Sequence, residues 1–367
     1  VSWQAWALME KEQGDIAEAR RLFQQATQAN PKDPVSWQAW ALLEKEQGRI
    51  DEARRLFQQA TQANPKDPVS WQAWALMEKE QGDIAEARRL FQQASQADPK
   101  NAPTWQAWAL MEKEQGDIAE ARRLFQQATQ ANPKDPVSWQ AWALMEKEQG
   151  DIAEARRLFQ QASQADPKHA PVWQAWALLE KEQGDIAEAR RLFQQASQAD
   201  PKNAPTWQAW ALLEKEQGNI AEARRLFQQA SQADPKNVPT LQAWALMEAQ
   251  QGQPETAEAL LRRGLEQVEE RRGRALLLSA LGSILAHREA YPEAEDAFRQ
   301  ALDFDEKNPL THYHFAVNCL IPQGKLEEAC RHLERARSLR PRKERDRRKI
   351  ESALRRHCGS SSAREQP

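Results

Sequence analysis

Apolar positions along the chain fall into two helical patterns that alternate and return every 34 residues. In the first copy, at about 100° per residue, Trp3, Trp6, Ala7 and Glu10 share one stripe. Ile16, Ala19, Leu22, Phe23 and Ala26 share another. This predicts a helix A over Val1 to Gln13 and a helix B from Asp15 to about Ala29, ending before Pro31. Gly14 supplies the turn between them, Asp15-Ile16-Ala17-Glu18 reads as a capping box, and Asp33-Pro34 gives an N-cap and first-turn proline to the next helix.

The two stripes predict the core. Ala7, Ala19 and Ala26 are small where helices approach, and Trp3, Trp6 and Phe23 are expected to fill the space between them. An aromatic side chain buries about 150–250 Å², an upper bound of roughly 4–6 kcal/mol at about 25 cal/mol/Å². Glu10 is the polar member of its stripe and returns as Glu44, Glu78, Glu112, Glu146, Glu180, Glu214 and Glu248. A carboxylate amid Trp and Ala is costly unless paired. The chain is therefore expected to build a ladder of Glu/Arg pairs, such as Glu146 with Arg156 or with an Arg of an adjacent repeat, while Arg21 points to solvent.

The unit VSWQAWALMEKEQGDIAEARRLFQQATQANPKDP recurs seven times, almost unchanged, from Val1 to Val238. A strict period with two amphipathic helices per unit predicts an all-α, right-handed α-solenoid of stacked antiparallel helix pairs. Residues 239–341 carry three divergent units. The first keeps Trp244, Gly252 and Ala257, and a three-residue insertion follows it. Gly282, Ala294, Phe298 and Ala301 mark the next, and Ala316, Ala329, Leu333, Ala336 and Pro341 a last one with one extra residue. Residues 342–358 read as a basic capping helix and 359–367 as a disordered tail.

Composition narrows the function. Net charge is only -3, with 51 basic against 54 acidic residues, so the chain as a whole is not a polycation. The charge is concentrated instead in one segment, Arg340 to His357, with nine Arg or Lys against three acids. The three cysteines, Cys319, Cys330 and Cys358, have no CxxC spacing, and their odd number leaves one unpaired, which points to a reducing compartment. No apolar run is long enough for a membrane span and no signal segment is present; the opening at Val1 on a repeat boundary reads as a piece of a longer protein. Neither a phosphate-cradling glycine loop nor a nucleophile-base-acid arrangement is present, and His312, His314, Cys319, Cys330 and His332 lack zinc-ligand spacing. The expectation is a non-enzyme without cofactor or metal.

The pattern W..WALMEKEQGDIAEARRLFQQA....P resembles the tetratricopeptide class of repeats and, within it, the HAT (half-a-TPR) subclass. Two aromatics three apart, Glu10 where the tetratricopeptide pattern usually has Tyr, and Ala19-Arg20 point to HAT. The wording WQAWALLE and ARRLFQQA is similar to HAT factors that stabilise and process chloroplast messenger RNAs. The resemblance implies single-stranded RNA as partner and, by family alone, a chloroplast location. Ordinary tetratricopeptide arrays imply instead an extended peptide or partner protein held in the concave groove.

By that resemblance helix A lines the groove, and its outward positions are Gln4, Leu8, Lys11 and Glu12. They return as Gln38, Leu42, Lys45, Glu46; Gln72, Leu76, Lys79, Glu80; Gln106, Leu110, Lys113, Glu114; Gln140, Leu144, Lys147, Glu148; Gln174, Leu178, Lys181, Glu182; and Gln208, Leu212, Lys215, Glu216. Such a face offers amide, apolar and Lys contacts at a fixed spacing, or is simply a solvated helix surface. Modules that read RNA sequence vary their reading residues. These do not vary, so any RNA would be held by its phosphates with little sequence preference. The repeated tryptophans are capable of base stacking in principle, but the helical wheel assigns them to the interior.

A second RNA candidate is the basic end, with Arg340, Arg342, Lys343, Arg345, Arg347, Arg348, Lys349, Arg355 and Arg356. Interspersed Glu344, Asp346 and Glu351 equally describe an ordinary charged capping helix. A third possibility is end-to-end self-association through the uncapped apolar face of the first repeat.

Overall fold

Within each repeat the chain follows the elements its pattern predicts. In the third repeat a first helix spans Pro68–Gln81 and a second Ile84–Ala97. Asp67 caps the first by accepting from the backbone N–H groups of Val69 and Ser70 at 3.2 and 3.1 Å. Gly82, at φ 84°, closes it in the left-handed conformation that a side chain would resist. Asp83 caps the second by accepting from the N–H of Glu86 at 3.1 Å. The expected return half of the capping box is replaced. Glu86 turns forward to pair with Arg89, one turn along the same helix, because a bidentate guanidinium outcompetes a single backbone N–H.

The computed structural model describes residues 3–358, in which every regular element is helical. The predicted start at Val1 and the tail at 359–367 lie outside the described residues. Adjacent helices pair and pack along the sequence, as a solenoid of helix pairs requires. The chain divides into two compact units, Val1–Glu182 and Gln183–Pro367, each built from such pairs.

The core of a repeat joins its own two helices to the first helix of the next. Ala75, Ala87, Leu90 and Phe91 pack with Met111, contributed by the following repeat. Met111 and its equivalents Leu43 and Met145 are fully buried, whereas Met9 is 47% exposed because no preceding repeat covers it in the structure. The tryptophans depart from the expectation of full burial. Trp37, Trp40, Trp71 and Trp74 are half-buried, and Trp3 and Trp6 are exposed. They sit at the margin of the core, where their N–H groups reach polar acceptors of the protein. Trp105 donates to the carbonyl of Pro99 at 2.9 Å and Trp108 to Glu112 Oε1 at 2.9 Å. The rings of Trp105 and Trp108 lie 6.1 Å apart and 7° from parallel, and Trp108 stacks in turn on Phe91 of the previous repeat.

In the second unit the single extra residue has a visible consequence. The helix that begins at Pro309–His314 continues as a π-helical stretch, Phe315–Leu320, in which the Ile321 N–H reaches the Ala316 carbonyl at 2.9 Å. The inserted residue is absorbed as a wider turn, so Ala316 and Ala329 both stay in the core. The terminal helix Glu344–His357 then buries Ile350, Ala353 and Leu354.

Candidate functional site

From Glu44 onward the repeated carboxylate of the first helix is almost fully buried. Glu112 is 1% exposed and is gripped by Arg88 of the preceding repeat, whose Nε and Nη2 donate to its two oxygens at 2.8 and 2.6 Å. The pairing runs across the joint between repeats, the second of the two geometries expected for this ladder. Glu146 takes Arg122, not Arg156, and Arg156 takes Glu180. The Arg88 bond holds the Glu112 carboxyl below the usual range against the opposing cost of burial, with Trp108 assisting. This ladder is structural, since both oxygens are consumed within the protein. Arg21 is exposed as expected, and salt-bridges to Glu18.

The outward face of the first helices is also cross-linked. Lys11, Lys45, Lys79, Lys113 and Lys147 reach Glu46, Glu80, Glu114, Glu148 and Glu182 of the next repeat at 2.6–2.7 Å. Gln72 accepts from the Thr104 hydroxyl at 3.0 Å and Gln106 from that of Ser138 at 3.2 Å. Leu42, Leu76, Leu110 and Leu144 lie half-buried between these rows. The face is thus a repeating strip of amide, leucine and neutralised ion pair. In the second unit Gln250 stands where the Glu facing Lys215 would be, so the ladder has no carboxylate at that rung.

The basic end does not present one surface. Arg345, Arg348, Lys349 and Arg356 line one cleft of the second unit. Arg340, Arg342 and Arg347 line another, together with Ile350 and Glu351, while Lys343 sits at the helix N-cap. Arg347 and Arg348 both pair with Glu344 at 3.0 Å.

Two groupings in the second unit were not anticipated. Cys330 and Cys358 form a disulfide that ties the terminal helix to Leu326–Ser338, leaving Cys319 unpaired and buried. The spacing of the cysteines gave no sign of the pairing. His312 and His332 meet Nδ1 to Nδ1 at 2.8 Å, with His312 Nε2 2.9 Å from the Glu306 carbonyl. Burial, and then the facing His312 ring, pull His332 down to about 4.

Tetratricopeptide repeat profiles match residues 11–77, 78–147, 146–215 and 180–239, and a further one matches 237–307. The chain belongs to the tetratricopeptide repeat family. No curated protein matches it in sequence. Among solved structures of this class, yeast Tom70 is similar with a TM-score of 0.57 and 12% identity, over 100% of this chain and 96% of that one. Cut9, in the hetero-tetramer Cut9-Hcn1 of the APC/C, has a TM-score of 0.44 and 16% identity over 96% of this chain and 75% of that one. At such identity the likeness to Tom70 is one of fold. No helix among the described residues of this tetratricopeptide protein is long and apolar enough to cross a membrane.

Proposed function

We propose that this tetratricopeptide chain is a non-enzymatic scaffold that holds an extended segment of a partner protein along the first helices of its repeats. The observation that carries the reading is the Lys/Glu ladder on that face. A phosphate backbone is bound by cations able to release their counterions, but each ladder lysine already has a carboxylate within 2.7 Å in the next repeat. A polyanion laid there meets as many acids as bases. The aromatic rings that would stack on bases are stacked on one another. An extended polypeptide, by contrast, finds glutamine amides for its backbone and leucines for its side chains at every repeat.

The HAT-like wording implied single-stranded RNA, and the experiment sets the two partners against each other. Peptides selected from a displayed library are to be measured by fluorescence anisotropy beside a random single-stranded RNA, at low and physiological salt. Selected peptides should bind with little salt dependence and weaken in Leu76→Asp and Leu110→Asp. RNA binding that falls steeply with salt and disappears when Lys79, Lys113 and Lys147 become Glu would overturn the reading.

A further inference from the structure

The first-helix face changes chemistry in the divergent repeats. Where the uniform repeats place the Lys and Glu of the ladder, the next first helix has Ala249 and Gln250, and the one beyond the insertion has Ala286 and His287. Without the long charged side chains the apolar floor is uncovered. A cleft of about 610 Å³ opens there, with Leu246, Ala249, Ile284, Ala286, Tyr291 and Val317 as its apolar wall and Gln250, His287, Glu289 and Asn318 among its polar lining, so that an apolar group and not a carboxylate suits it. Leu246 is 53% exposed, while its equivalents from Leu42 to Leu212 are half-buried.

Val317 belongs to the π-helical stretch and lines a second cleft as well, of about 590 Å³. The far wall of that cleft is the terminal helix, held in place by the Cys330–Cys358 bridge. It presents Arg345, Lys349 and Arg356, none with an acid partner among the described residues, while the carboxylate of that wall, Glu344, is engaged by Arg347 and Arg348. A cleft with an apolar wall and a surplus of positive charge therefore meet at one residue, Val317.

We propose that the two clefts form a single docking site for an acidic peptide segment with an apolar anchor. The anchor enters beside Leu246, and the carboxylates face Arg345, Lys349 and Arg356. Charge complementarity selects this occupant. A basic segment is repelled, a neutral apolar one leaves the cations unmatched, and a polynucleotide has the charge but nothing to fill the apolar cleft. The proposal rests on the scaffold reading and adds the place and the chemistry of the partner.

The test uses the full chain and short fluorescein-labelled peptides. One alternates Asp with Leu and Phe, a second has Ser at the apolar positions, and a third has Lys in place of Asp; a random single-stranded RNA completes the set. The Asp/Leu/Phe peptide should bind, and its affinity should fall by about tenfold or more in Leu246→Asp and in the double variant Arg345→Glu/Lys349→Glu, while Lys66→Glu, on an exposed turn between repeats, should have no effect. The Lys peptide should gain affinity for the double variant, an effect that misfolding does not produce. Failure of the acidic peptide to bind, or equal binding by all variants, would overturn the site. Library peptides that still bind the uniform repeats would then leave the scaffold reading intact. If RNA alone binds, and the same C-terminal substitutions abolish it, both fall.

Discussion

Glu146 and Arg122 are unequal partners. The carboxylate is 1% exposed and the guanidinium side chain 47%, so the two ends of the pair face different solvents. Removing the arginine strands a charge among Trp142 and core alanines, which costs about 3–5 kcal/mol. Removing the charge instead, as Gln, leaves an arginine that water can reach, and the loss should be nearer to about 1–2 kcal/mol. Arg122→Met is therefore expected to lower the denaturation midpoint more than Glu146→Gln. The reverse order would mean that the pair is not held across the joint as described.

At the scale of the element, most helices of the repeats begin under an Asp or Asn cap. The helix Ile50–Ala63 does not, because Arg49 stands where sister repeats have Asp, and no side-chain bond caps it. Arg49→Asp should restore the bond to the Glu52 N–H and stabilise the helix start by about 1 kcal/mol. The Arg49–Glu44 ion pair that is lost has an exposed arginine and weighs little against this. Hydrogen exchange of the first-turn amides should slow about fivefold, and unchanged exchange would count against the cap. These helices were legible in the sequence because Ala7, Ala19, Leu22, Phe23 and Ala26 keep a 3.6-residue period between Gly and Pro punctuation. Leu43 and Met111 were not legible as core, since they pack on the preceding repeat and a single-helix wheel cannot see that neighbour. The tryptophans were placed too deep for a different reason, since the wheel sees neither the loop carbonyl nor the carboxylate that their N–H groups reach. The two clefts were hidden further still, because equating Ala286 with Ala249 says nothing of what their small size uncovers.

For the molecule as a whole, two sets of titrating groups respond to acid in the same direction. Burial raises Glu44, Glu146 and Glu248, but bonds from Arg20, Arg122 and Arg224 outweigh it and hold all three below 4.5. Their contribution is complete above that value and is lost as pH falls through the lower folded-state range. His332 titrates near 4 in the fold against 6.5 when free, so the unfolded chain gains its proton first and stability declines as pH falls from about 6.5 to about 4. Unfolding followed against pH should accordingly show the divergent repeats around His332 weakening before the uniform repeats do. His332→Gln should flatten the upper part of that decline; an unchanged profile would show that the His312–His332 contact does not form.

Because each arginine clasp is shared, half of it on one repeat and half on the next, no repeat is finished by itself, yet every half fits every other. Cutting out 34 residues at any register of the uniform array would bring together the same arginine and the same glutamate, with the same methionine or leucine beneath them. The length of such an array is then a freely adjustable quantity, and a lost or gained copy leaves every remaining joint sealed. What a change of copy number alters is only how far the neutral strip of glutamine and leucine extends before it arrives at the single charged terminus.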